Sequence, residues 1–207
     1  MPLRKTPATP LHPVQPRQPS RDMLGLQQQL GDPDPRQRRL AARDLSHHAG
    51  AALALGQALA AETDASVREA LFSSLATLAS EAAVQGLLPL LRSEDAGLRN
   101  GAIEALSAMP QAVSPSIDRL LLDADPDVRI FTVNLLGELR HAAVPAWLAR
   151  VLQQDTHVNV IAAALEVLAE VGSRAELPAL RAARQRFDDD AFIQFAADLA
   201  ISRIEAA

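Results

Sequence analysis

Residues 123–154 read DADPDVRIFTVNLLGELRHAAVPAWLARVLQQ, and this stretch decides the fold. Asp125 suits an N-cap, and Pro126 follows at the first helical position, where its missing N–H is not needed. Val128, Thr132, Leu136 and Leu139 then recur at helical spacing. Residues 141–143 read as a turn. Val144, Trp147, Leu148, Val151 and Leu152 form the apolar stripe of a second helix, with Pro145 in its first turn. Neither helix can bury its stripe alone, so a copy of the pair must lie on each side.

The chain supplies the copies. Asp34, Asp64, Asp95 and Asp125 stand at equivalent positions, each four residues before an arginine, and His157 and Asp190 continue the series more weakly. Successive steps are 30, 31, 30, 32 and 33 residues, which is the signature of a solenoid or array. Leu45, Leu75, Leu106, Leu136, Leu168 and Ile201 share one apolar slot; Leu78, Met109, Leu139, Val171 and Ile204 share another, three residues later. The expected fold is all-α: an α-solenoid of about five helical pairs with capping helices and no strand. The four Asp/Arg pairs (Asp34/Arg38, Asp64/Arg68, Asp95/Arg99 and Asp125/Arg129) mark helix starts and are expected to cap helices and pair between repeats.

The pattern D-P-x-V-R, then L-G-x-[LIV], then A-V-P-x-L resembles the HEAT repeat, in particular the short bacterial type named after phycobilisome lyases. LLGELRHAAVPAWL (135–148) and VNVIAAALEVLAEVG (158–172) carry the resemblance best, and it runs from about residue 32 to the C-terminus. It implies a right-handed superhelix whose second helices line the concave surface. It says little about function, because such arrays include scaffolds, lyase subunits, an iron-dependent hydroxylase and DNA glycosylases.

Composition narrows the classes. No cysteine occurs in the 207 residues, which excludes disulfides, thiolate metal sites and cysteine nucleophiles. No run of 18 apolar residues suggests a membrane span, the N-terminus lacks the apolar stretch of a secretory signal, and a cytoplasmic location is the expectation. Net charge is −5, unevenly spread: residues 1–21 hold Arg4, Lys5, Arg17 and Arg21 and no acid, so the remainder carries −9. An acidic body argues against non-specific nucleic-acid binding and leaves nucleic acid a third choice of partner.

Residues 1–21, with six prolines, read as a disordered tail, and residues 22–207 as the repeat domain. A short capping helix is expected over 22–30, with Met23, Leu26 and Leu30 inward. The first repeat is expected over 35–46 and 49–62, with Leu40 and Leu45 in the core. Gly172 is expected to stop its helix, and residues 192–204 form the last helix with Ile193, Ala197, Ile201 and Ile204 inward.

Chemistry-bearing motifs are sparse. There is no phosphate loop and no serine–histidine arrangement in a catalytic context. The hydroxylases of the resembling family use His-Glu dipeptides as iron ligands, and none occurs here, so that activity is not carried over. No catalytic residue, metal or cofactor is expected. The expected function is a non-catalytic scaffold or adaptor that binds an acidic or amphipathic protein segment. The alternative is a lyase-like or chaperone-type subunit acting on a chromophore-bearing protein. The second helices are mildly basic toward the C-terminus, and the partner site is expected on Arg119, Trp147, Arg150, Arg181 and Arg184. Trp and Arg are enriched at binding hot spots, although Trp147 also fits a core position between repeats.

Overall fold

The computed structural model describes residues 21–206. The tail expected over residues 1–21 therefore lies, but for Arg21, outside the described residues. The remainder is a run of helices: α1 (Met23–Gln29), α2 (Pro35–Leu45), α3 (Ala52–Ala61), α4 (Ala65–Leu78), α5 (Glu81–Leu87), α6 (Ala96–Ser107), α7 (Pro110–Leu121), α8 (Pro126–Glu138), α9 (Val144–Gln154), α10 (Val158–Val171), α11 (Leu177–Arg186) and α12 (Ala191–Ala206). A 3-10 turn leads into α3, another extends α5 over Leu88–Arg92, and a third precedes α11. The first helices form one row, α2 on α4 on α6 on α8 on α10 on α12, and α1 covers the open side of α2. In the second row α3 packs on α5, α5 on α7 and α9 on α11, while α7 and α9 stand further apart. Five helical pairs between two capping helices is the expected all-α solenoid.

The first four repeats begin with the same hydrogen-bonded turn, whereas His157 at the start of the fifth makes no side-chain cap bond. The Asp34, Asp64, Asp95 and Asp125 side chains accept N–H bonds from the first turns of α2, α4, α6 and α8. Two residues before each cap, a second polar side chain accepts the cap residue's own N–H: Asp32, Glu62, Ser93, Asp123 and, ahead of His157, Asp155. The marker arginine then donates to the carbonyl of that residue: Arg38 to Asp32, Arg68 to Glu62, Arg99 to Ser93 and Arg129 to Asp123. Arginines also tie repeat to repeat: Arg38 with Glu62, Arg68 with Asp95, Arg92 with Asp123 and Asp125, and Arg129 with Asp155. Capping and inter-repeat pairing are therefore both present. Beyond the reach of the last marker arginine, Arg186 donates to the carbonyls of Leu152, Gln153 and Asp155 at the end of α9.

Leu45, Leu75, Leu106, Leu136 and Leu168 are fully buried, and Ile201 is half-buried. In the second slot Met109, Leu139 and Ile204 are buried, Leu78 is half-buried, and Val171 is exposed because α10 ends there. Leu40 is exposed, contrary to expectation. One helical turn before Leu45 is Ala41, so Ala41, Ala42 and Leu45 fill the core and Leu40 turns outward. Met23 likewise lies outward while Leu26 is buried. Gly172 caps the end of α10, as expected, with φ −71° and ψ 162°, an ordinary extended conformation. It also serves a close approach: a Cβ there would lie 2.5 Å from the Leu168 carbonyl oxygen and 2.8 Å from Ile204 Cδ1. The left-handed position is Ala79, after α4, with φ 44°.

Candidate functional site: the groove between the second helices of repeats three and four

α7 opens with Pro110 at its first position, but it also holds Pro115 in its interior. Proline there lacks the N–H that would reach Gln111 O one turn earlier. The Ser114 hydroxyl donates to that carbonyl at 3.3 Å instead, which keeps the helix continuous. Val113, Ser116, Ile117, Leu120 and Leu121 face inward, so Asp118, Arg119 and Leu122 project outward. α9 buries Val144, Leu148, Val151 and Leu152 and leaves Arg150 and Gln154 at its surface.

The two helices stand apart, and the space between them is a groove of about 520 Å³. Leu121 and Val151 line it apolarly, and Asp118, Arg150, Asp123, Arg129 and Asp155 line it with charge. Arg150 reaches across to Asp118 in an ion pair. Leu122, at the C-cap of α7, is 73% exposed on the rim and is the most exposed large apolar residue in the described chain. The end of the groove is closed by an ion pair. Arg129 donates to both Asp155 oxygens at 2.7 and 3.2 Å. Burial alone would push the Asp155 carboxyl up, but the Arg129 guanidinium and the His157 and Thr156 N–H groups outweigh it and hold the group below the usual carboxylate range. Asp123 behaves alike: the Asp125 N–H and the Arg92 guanidinium outweigh its burial. The solvent-facing pair of the groove is thus Asp118 and Arg150, on half-exposed side chains.

The structure places the five residues expected at the site as follows. Arg119 is exposed on α7, beside Asp118, and makes no ion pair among the described residues. Arg150 lines the groove. Trp147 is half-buried, packs against the core and stacks on His141, ring centroids 5.0 Å apart. Arg181 and Arg184 are exposed on α11, but each lies on an α12 carboxylate, Arg181 on Glu205 and Arg184 on both oxygens of Asp198. Arg184 and Asp198 perturb each other accordingly, the guanidinium upward and the carboxyl downward. Arg119 and Arg150 therefore share one locality with Asp118, whereas Arg181 and Arg184 form separate pairs against the last helix. Sequence reasoning passed over Leu122. Its signal is an off-stripe leucine just past the end of the α7 period.

Among the described residues no helix is long and apolar enough to cross a membrane, and no cluster of three metal-ligating side chains occurs. The chain is 33% identical over 152 residues to the bilin biosynthesis protein PecE of Mastigocladus laminosus, a match covering 71% of this chain and 56% of that protein. The chain thus spans little more than half the length of this relative. An archaeal HEAT-like repeats protein from Thermococcus onnurineus NA1 superposes with a TM-score of 0.46 at 17% identity, covering 89% of this chain and 87% of that one. A designed armadillo repeat protein in complex with the peptide (KR)4 gives 0.44 at 21% identity, covering 88% and 99%. The HEAT repeats pattern matches residues 23–107 and 113–202, the two stretches that hold the repeated Asp/Arg turns and the stacked helical pairs, and the chain belongs to the HEAT-repeat family.

Proposed function

We propose that the chain is a non-catalytic protein-interaction scaffold that takes an extended, amphipathic segment of a partner protein in the α7–α9 groove. The observation that supports this is the gap in the second row, where an exposed Leu122 stands beside the Asp118–Arg150 pair over an apolar floor. An apolar partner side chain would cover Leu122 and the Leu121–Val151 floor. A partner carboxylate would take Arg150, with Arg119 as a second cation, and a partner cation would take Asp118. An exposed pair in water contributes little to stability, so exchanging it for an intermolecular one costs the fold little. The test is capture from the source host on the immobilised chain, comparing the unaltered protein with the double variant L122D/R150E. The variant should lose a protein that the unaltered chain retains, with affinity down at least about 30-fold and thermal midpoint nearly unchanged. Equal retention by both would remove the groove from consideration.

The similarity to a bilin biosynthesis protein favours a second reading, a subunit that assists pigment attachment to another protein. Mixing the chain with a bilin and recording visible absorbance and induced circular dichroism separates the two. A stoichiometric bound pigment would replace the scaffold reading.

A further inference from the structure

A second groove, of about 610 Å³, lies in the first row between α4 and α6. Gly97, Gly101 and Ala105 recur one helical turn apart along its α6 wall. The Phe72 ring of α4 lies across Gly101, so close that a Cβ there would come within 2.4 Å of it. Phe72 and Ala76 are half-buried, and they line the groove with an aromatic and aliphatic surface. Glu69 of α4 and Glu104 of α6 line it as well, one from each helix; both are exposed, and neither makes an ion pair among the described residues. The cation in this lining, Arg68, is already held by the Glu62 carbonyl and the Asp95 carboxylate. The groove therefore offers apolar walls and two uncompensated negative charges. The α7–α9 groove differs, because it brings its own guanidinium to Asp118. A groove between α1 and α3 differs again, since Gln27, Leu30, Leu53 and Gln57 line it without any charged residue.

Charge complementarity says what fits. The occupant must carry cations, some apolar surface and no acid of its own. The chain holds such a segment. Residues 1–20 contain Arg4, Lys5 and Arg17, the apolar Leu3 and Leu11, six prolines and no acidic residue. Proline-rich segments suit aromatic-lined grooves, where they dock at a small entropic cost. The point of attachment agrees. The described chain begins at Arg21, which donates to Asp44 of α2 at 2.7 Å, and α2 packs directly on α4. Packed helices stand about 10 Å apart, so the α4–α6 groove lies roughly 15 Å from α2. The stretch from Lys5 to Arg21 reaches up to about 50 Å when extended, which is ample. We propose that residues 1–20 dock back on the α4–α6 groove of their own chain, with Arg4 and Lys5 on Glu69 and Glu104 and the neighbouring Leu3 and Pro7 over Phe72. This surface is separate from the α7–α9 groove, so its failure leaves that reading intact.

The full chain has no cysteine, so T6C gives a single attachment point for a nitroxide, and amide line broadening by NMR reads where the label sits. The label should broaden the amides of Ser73, Gly101 and Glu104 and leave those of α10 sharp. E69K/E104K places cations in the groove and should cut the added relaxation at those amides at least about fivefold, with helical content unchanged because both side chains are exposed. R4E/K5E should do the same from the other side. The quadruple variant R4E/K5E/E69K/E104K restores opposite charges and should return the relaxation to within about twofold of the original. A mixture of nitroxide-labelled chain with unlabelled, nitrogen-15-enriched chain should show no broadening, because the segment docks within its own chain. Sharp Ser73 and Gly101 amides in the labelled protein, broadening indifferent to E69K/E104K, no recovery in the quadruple variant, or broadening in the mixture would each overturn the proposal.

Discussion

Ala79 ends α4 in the left-handed region at φ 44°, where helices commonly place glycine. A Cβ in that conformation costs roughly 1–2 kcal/mol, partly balanced by glycine's larger entropy when unfolded. A79G should therefore raise the unfolding free energy by about 0.5–1 kcal/mol, read from chemical denaturation; a loss instead would show that Ala79 is not held left-handed in solution. Gly172 is the converse case. Its φ and ψ are open to any residue, and on backbone entropy alone alanine should stabilise. The neighbours decide otherwise: the added Cβ meets the Leu168 backbone oxygen, which belongs to the last turn of α10 and cannot step aside. G172A should cost about 1–3 kcal/mol by overpacking, in the same denaturation assay. Neither outcome can be read from the sequence. Gly172 reads as a helix stop and is one, but the contacts that bar a Cβ, with the Leu168 carbonyl and with Ile204 of α12, exist only once the chain is folded.

At the scale of the element, the unit is the turn between repeats, and Glu62 is its best-connected member. The carboxylate accepts from Arg38 Nε and Nη2 at 2.7 and 2.8 Å and from the Thr63 and Asp64 N–H groups at 2.9 and 2.8 Å. The Arg38 bonds come first in lowering its pKa, burial opposes them, and the backbone N–H groups add to the lowering, which together bring it to about 2 from an ordinary 4.5. The folded value lies below the unfolded one. The contribution is therefore complete above about pH 4.5, and it is lost as pH falls from there through about 2. At neutral pH it amounts to about 3 kcal/mol. E62Q should remove that much at pH 7 and should flatten the acid limb of stability against pH between those two values, measured by urea unfolding at fixed pH steps. An unchanged limb would mean that Arg38 does not hold Glu62 ionised. The Asp/Arg markers made these turns visible in the sequence, because capping is local and the spacing repeats. The second acceptor two residues earlier was hidden, since Asp, Glu and Ser share that position and no single letter recurs. Which carboxylate each arginine takes was hidden for another reason. Arg150 finds Asp118 32 residues back, and Arg181 finds Glu205 24 residues ahead, distances that depend on how the helices stack.

Across the whole molecule, the stacking itself was legible because period 3.6 within helices and about 31 between them are both carried by side chains that must be buried. The candidate groove was not. Nothing in the periodicity of α7 and α9 announces that their axes separate, and the feature appears only when the two rows are compared: the first helices pack without interruption from α2 to α12. The stack is therefore held mainly through one row, and coupling should pass along it from neighbour to neighbour. Leu136 sits fully buried on α8 in the middle of that row, while Ile204 closes its far end on α12. L136A should cost about 2–5 kcal/mol, and hydrogen exchange should show lost protection on both sides, in α6 as well as α10. I204A should expose α12 and the adjoining ends of α10 and α11 to exchange while leaving α2 to α6 protected as before. Equal loss of protection across all helices in I204A would show that the chain unfolds as one cooperative block, not as a row of coupled neighbours. The consequence for binding follows from the same mechanics. A partner seated between α7 and α9 bridges the place where the second row is open, so it should slow exchange in α8 and α10 most strongly and fade toward both ends.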